Sequence, residues 1–215
     1  MEKLLLSILI GYLFGNIQAS YLLAKAIKKV DIRTLGFGNA GMSNAVESLG
    51  WKFGLLVGFI DVGKGIVSIL VIKYLMNVNF NPEGALILYL NAYSVILGHI
   101  YPFHMNFKGG KGTAALIGVL LGLNPVMGLI GIAIIILVTL ISDYVAVGTL
   151  ALTLYVVGIT LYFNMGLIPL LISISGSLLS LYYHLPNYRR IFNHSEGRLS
   201  KVLKKAKKLA FNYVY

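Results

Sequence analysis

The chain contains no cysteine among its 215 residues, which removes disulfides, thiolate metal sites and a cysteine nucleophile from consideration. Charge is scarce as well: 12% of residues are Asp, Glu, Lys or Arg, with seven acidic against eighteen basic. No stretch alternates apolar and polar residues with the period of two that a strand requires. What the chain has in quantity is hydrocarbon, with 58% apolar residues and a mean hydropathy of +0.83. Apolar runs near or above about eighteen residues recur, the mark of membrane spans. Inside a bilayer only helices or closed barrels satisfy their backbones, and with no period-two pattern helices remain. The expected fold is an all-α integral membrane protein.

Seven spans are expected, near 3–27, 53–76, 84–103, 112–123, 125–142, 145–163 and 166–184. The first resembles a signal peptide only at its start. Ile17 and Ala19 make a poor cleavage site and the apolar run continues through Tyr21 to Ala24. The fourth falls short of the ~20 residues of a full crossing, so it is read as a glycine-rich half-helix or a re-entrant segment. Lysine and arginine set the orientation. They occupy the connection after span one (Lys28, Lys29, Arg33, Lys52), the one after span three (Lys108, Lys111) and the tail from Arg189 onward, and are missing around 77–83, 124 and 164. The bias places the N-terminus outside and the C-terminus in the cytoplasm. The net charge of +11 therefore reports loop placement, not a nucleic-acid groove.

The cytoplasmic stretches carry the chemistry. Residues 98–112 pack two histidines, two lysines and four glycines, with Lys108, Gly109, Gly110, Lys111 and Gly112 in succession. Bare amides and ammonium groups in that density suit a phosphate. Residues 31–44 interleave three glycines with Asn39, Ser43 and Asn44, too glycine-rich for a continuous helix. This reads equally as a polar ligand loop or a flexible connection. In span two Asp61 and Lys64 share a helix face, as an ion pair between helices or with the ammonium aimed at the cytoplasmic site. At the end of span seven His184 and Asn187 precede Arg189 and Arg190, and an arginine fork matches phosphate.

Together these segments resemble the bacterial acyl-phosphate-using glycerol-3-phosphate acyltransferases of the PlsY type, from about Gly15 to Glu196. The likeness is carried by Gly98-His99-x-Tyr101-Pro102 with Phe107-x-Gly109-Gly110-Lys111-Gly112, by Arg33 with Gly36-x-Gly38-Asn39-x-Gly41-x-x-Asn44, and by His184, Asn187, Arg190 and Glu196. The resemblance implies a seven-span enzyme of the bacterial inner membrane, its site facing the cytoplasm. Such an enzyme moves a fatty acyl group from acyl phosphate to glycerol 3-phosphate, making lysophosphatidic acid for phospholipid synthesis. It implies no cofactor and no metal, since a mixed anhydride is already activated and needs chiefly orientation and charge neutralisation. Catalysis is expected from His184, Asn187 and Lys111. Substrate contacts are expected from Arg33, Gly38, Asn39, Asn44, Lys64, His99, Lys108, Gly109, Gly110, Arg190 and Glu196.

The first motif departs from the family pattern. Phe37 stands where the family has a serine, and Glu47 where it has an arginine. Asn16 and Gln18 replace a serine and a proline, and His194 replaces a glycine. The Glu47 reversal favours a second class, an altered or inactive paralogue that binds a phosphate-bearing lipid or metabolite. A transporter fits poorly, because spans five to seven are apolar apart from Ser, Thr and Asn. The chain divides into a membrane domain, 1–188, and a basic tail, 189–215. In the tail Leu199, Val202, Leu203, Ala206 and Leu209 recur at helical spacing, as in a helix on the anionic inner leaflet.

Overall fold

In the computed structural model, which describes residues 1–202, the first apolar run is interrupted in mid-course. Helix α1 (Glu2–Gly15) stops, residues 16–18 run unwound, and α2 (Ala19–Leu23) restarts ahead of one wider turn at Ala24–Lys28. Such a break survives in hydrocarbon only where other groups take up the freed backbone. Lys64 donates to the carbonyls of Gly15 (3.2 Å) and Ile17 (2.6 Å). The Gln18 amide donates to the His99 carbonyl at 2.9 Å. Asn16 donates to the Tyr12 carbonyl at 2.7 Å and accepts from the Phe103 amide at 2.9 Å. Lys64, Asn16 and Gln18 together close the break.

The chain continues as α3 (Met42–Leu49), α4 (Trp51–Met76), α5 (Pro82–Ile100), α6 (Thr113–Leu123), α7 (Pro125–Ser142), α8 (Val145–Tyr162) and α9 (Leu167–Phe192). No strand occurs among the described residues. Six stretches are long and apolar enough to cross a membrane: Glu2–Lys28, Trp51–Met76, Pro82–Met105, Pro125–Ser142, Val145–Tyr162 and Leu167–Phe192. The short α3 lies within the glycine-rich first connection. Helix α9 runs on to Phe192, with Pro186 on an exposed face, so the division drawn at 188/189 falls inside it. Beyond Val202 the expected tail helix lies outside the described residues.

Glycine and small polar groups set the helix contacts, as they do where lipid is as apolar as the core. A Cβ on Gly98 of α5 would run into the Tyr12 carbonyl of α1, and one on Gly118 of α6 into the Val62 carbonyl of α4. Ser68 donates to Asn91 Oδ1 (2.8 Å) and Asn91 Nδ2 to the Ser7 carbonyl (2.9 Å), which stitches α4, α5 and α1 together. Around them pack Ile69, Ile72, Leu88, Val95, Ala115 and Val119.

Helix α6 has eleven residues and is about 16 Å long, roughly half the ~30 Å hydrocarbon core. Its start is recessed because residues 101–112 fold back onto the end of α5. The amide of Gly109 bonds the Ile100 carbonyl (2.9 Å) and that of Gly110 the His99 carbonyl (3.0 Å). Its far end is closed by Lys73 of α4, whose ammonium donates to the carbonyls of Gly122 (2.9 Å) and Leu123 (2.7 Å). A cation at the carbonyl end complements the helix dipole and fills orphan acceptors. Lys73→Met is therefore expected to cost on the order of 1–2 kcal/mol. Thermal unfolding in detergent should read this as a fall of about 2–8 °C, with Lys73→Arg close to wild type.

Candidate active site

The first connection is held in shape by its own side chains. Asp31 accepts from the Arg33 backbone amide at 3.0 Å and from its guanidinium at 2.7 Å, and Arg33 Nη1 donates to the Met105 carbonyl at 2.7 Å. That hydrogen bond from Arg33 holds the Asp31 carboxyl below its usual range and raises the guanidinium in turn. Arg33 is thus a staple between the first and middle basic segments. Buried Asn44 spends its amide on the carbonyls of Ile32, Leu35 and Asn39 (3.1, 3.1 and 2.8 Å), and its oxygen accepts the Phe37 amide at 2.7 Å. Gly38 adopts φ +72 in the turn between them and gives its N–H to the Leu35 carbonyl.

The middle segment turns on His99, which is buried at the end of α5. Its Nδ1 lies 2.7 Å from Lys64 Nζ. An ammonium has no lone pair, so Lys64 donates, Nδ1 accepts, and the ring proton sits on Nε2. Asp61 Oδ1 stands 2.8 Å from the same ammonium as a charge contact, and 3.6 Å from the ring. Gly110 lies against the ring, where a Cβ would meet Nε2. Lys108 is exposed, and the Gly109 and Gly110 amides are engaged within the fold-back. Helix α6, by contrast, begins at Gly112 (φ +88) with no side-chain cap, leaving first-turn amides unpartnered where the chain emerges from the loop.

The third segment is the extension of α9, where His184, Asn187 and Arg190 follow at intervals of three on one face. His184 Nδ1 bonds the Ser180 carbonyl at 2.8 Å; a carbonyl only accepts, so Nδ1 carries the proton and Nε2 presents a lone pair. The chain then turns back and Glu196 accepts from Asn187 Nδ2 and Arg190 Nε, each at 2.6 Å. Lys111 donates to Asn187 Oδ1. The Arg190 guanidinium lies 4.5 Å from the Phe37 ring centroid, stacked on its face. Burial of Lys111, with Arg190 near by, brings its ammonium down to about 8.

These pieces enclose a cavity of about 320 Å³. Of the residues singled out in the sequence, Asn39, Asn44, His99, Lys111, His184, Asn187, Arg190 and Glu196 line it, together with Phe37, Glu47 and Asp61. Arg33, Gly38, Lys64, Lys108, Gly109 and Gly110 do not; they shape the walls or lie outside. Glu47 is exposed on the wall. A second, narrower and largely apolar groove descends between α5, α6, α8 and α9. Lys111, Gly112 and Thr113 line both spaces. The sequence reading missed Thr113 and the α6 amides, whose only signal is a helix starting directly after Gly110-Lys111-Gly112. Among the described residues no three His, Asp or Glu side chains stand close enough to share a metal ion.

Known proteins share this layout. A family model for glycerol-3-phosphate acyltransferase matches residues 5–194. Glycerol-3-phosphate acyltransferase 1 of Oceanobacillus iheyensis is 42% identical over 199 residues, covering 92% of this chain and 95% of that one. Two solved structures of PlsY (YgiH), an integral membrane glycerol 3-phosphate acyltransferase, superpose on the fold. Its glycerol 3-phosphate form gives a TM-score of 0.81 at 29% identity, over 91% of this chain and 94% of that chain. Its lysophosphatidic acid form gives 0.78 at 27% identity, over 93% and 97%. With sequence and fold matching over nearly its full length, the chain belongs to the glycerol-3-phosphate acyltransferase family.

Proposed function

We propose that this protein transfers a fatty acyl group from acyl phosphate to the 1-hydroxyl of glycerol 3-phosphate, releasing inorganic phosphate and lysophosphatidic acid for phospholipid synthesis. The observation that carries this is the meeting of a polar cavity and an apolar groove at Lys111. A donor with a phosphate head and a hydrocarbon chain needs both spaces, with its carbonyl at their junction. The head group lies against Lys111 and the open amides of α6, where a helix N-terminus favours an anion. The acceptor's phosphate faces Arg190.

The chemistry then requires little of the protein beyond placement. The acceptor hydroxyl oxygen attacks the donor carbonyl carbon while His184 Nε2 takes its proton. The carbonyl oxygen gains charge beside the α6 amides and Lys111. The carbon–oxygen bond to phosphate then breaks, and the departing phosphate recovers the proton from His184. His99, with its proton on Nε2, is the complementary donor on the opposite wall. Asn187 holds Lys111, and Glu196 with Phe37 holds Arg190.

The topology we infer has seven crossings, with α6 as the shortest. The N-terminus is outside and the site faces the cytoplasm of a bacterial inner membrane. It is supported by the lysines and arginines that cluster at the ends meeting at the cavity, and by connections near 77–83, 124 and 164 that carry none. The tail beyond α9 serves as a basic anchor on anionic lipid in this reading.

Acyl transfer by the purified protein tests the reaction. Lys111→Ala is expected to lower kcat/KM by roughly 10²–10³, and a wild-type protein that binds glycerol 3-phosphate without turnover would instead favour the inactive paralogue. Activity should fall as pH rises through about 8, where Lys111 loses its proton, and Lys111→Arg should move that limb to higher pH. Glu47→Arg removes a like charge from the acceptor's surroundings. It is expected to lower KM for glycerol 3-phosphate several-fold with kcat nearly unchanged.

A further inference from the structure

The apolar groove has a floor, and we propose that Tyr89 is the residue that sets the length of acyl chain the enzyme accepts. This rests on the acyl-phosphate reading of the site above. The groove opens at Lys111 and Ser180 and ends among Tyr89, Leu123 and Ile172. From Thr113 to Leu123 along α6 is about 15 Å at the helical rise, which matches the ~15 Å depth of one leaflet of hydrocarbon. A fatty chain lying along α6 therefore reaches the bottom at about the length found in membrane lipids, and since the cavity itself is only about 70 Å³ the flanking helices must part to admit it.

The walls are apolar in effect. Ser173, Ser177 and Thr153 line the groove below its mouth, but their hydroxyls donate to the carbonyls of Leu170, Thr153 and Leu150 and are not offered to a guest. The floor is rigid. Tyr89 is 4% exposed, and its hydroxyl is 2.8 Å from Thr160 Oγ1, itself bonded to the Val156 carbonyl at 2.7 Å. That bond crosses from α5 to α8, and Ala85 and Met165 pack with the ring. A chain too long for the groove meets an anchored ring, while a shorter one leaves the bottom empty at a loss of about fourfold per methylene.

Two substitutions separate a stop from mere packing. Tyr89→Ala lowers the floor. Gly176→Leu fills the groove midway, at a position where a Cβ makes only ordinary contact with the Tyr93 ring at 3.7 Å, so the fold should accept it. The assay compares kcat/KM for octanoyl, myristoyl, palmitoyl, stearoyl and arachidoyl phosphate. In parallel, thermal stabilisation by the matching acyl phosphonates reads binding without turnover. Tyr89→Ala should move the optimum to longer chains, Tyr89→Phe should leave it in place, and Gly176→Leu should cost the long donors at least tenfold while sparing octanoyl. Parallel changes across all chain lengths would overturn the proposal. If wild type turned over no donor, the reaction would fall, and the phosphonate series alone would still decide whether Tyr89 is the stop.

Discussion

The fold depends on one buried ammonium. Lys64 sits inside α4 with its side chain 1% exposed, surrounded by the carbonyls of Gly15 and Ile17, the Nδ1 of His99 and the carboxylate of Asp61. Each contact answers a different demand. Asp61 offsets the charge, which hydrocarbon would otherwise penalise heavily. The two carbonyls are the ones left open by the break in the first span. His99 receives its tautomer. Removal of one partner would leave the others uncompensated, and that asymmetry makes such sites costly to break, commonly by about 3–5 kcal/mol.

From that point the geometry of the cavity follows mechanically. On either side of the break α1 packs on α5 and α2 on α4, and Gln18 and Asn16 bind the backbone of His99 and Phe103. The loop after α5 is thereby fixed where it turns back, and α6 begins directly after it at Thr113. A short helix with an uncapped start then opens into the cavity. The two histidines end up in opposite states, His99 offering a proton and His184 a lone pair. Neither is set by the substrate; Lys64 and the Ser180 carbonyl set them beforehand, as second contacts commonly orient imidazoles.

Much of this was legible in the sequence. The apolar runs marked most of the helices, with α4 and α7 ending where expected at Met76 and Ser142, but not the break in the first run at 16–18 nor the continuation of α9 past 184 to Phe192. That His184, Asn187 and Arg190 share one face followed only once α9 was seen to continue to Phe192. What could not be read was which groups spend their hydrogen bonds on the fold. Arg33, Asn44, Gly109 and Gly110 look like ligand groups by type, yet Arg33 is a staple, Asn44 a turn scaffold, and the glycine amides bind the end of α5. Such assignments depend on how the loops fold, through contacts of 5 to 12 positions for Asn44 and of 72 for Arg33 with Met105. Lys73 illustrates the same gap: nothing local reveals that it closes a helix fifty residues away.

The departures in the first motif change meaning once the charges are placed. A cavity with Lys111 and Arg190 unopposed would hold two cations at the edge of hydrocarbon, an arrangement that burial disfavours. Glu196 engages Arg190 directly and Glu47 stands on the wall, so the cavity carries two of each sign besides Asp61, whose charge Lys64 offsets from behind the wall. Phe37 spreads the remaining contact over an aromatic face instead of a hydroxyl. In the proposed reading an arriving phosphate shares Arg190 with Glu196. Of the cavity's two glutamates, Glu196 belongs to the segment that carries the family resemblance and Glu47 is the departure, so what is particular to this chain in the charge balance of the cavity is Glu47.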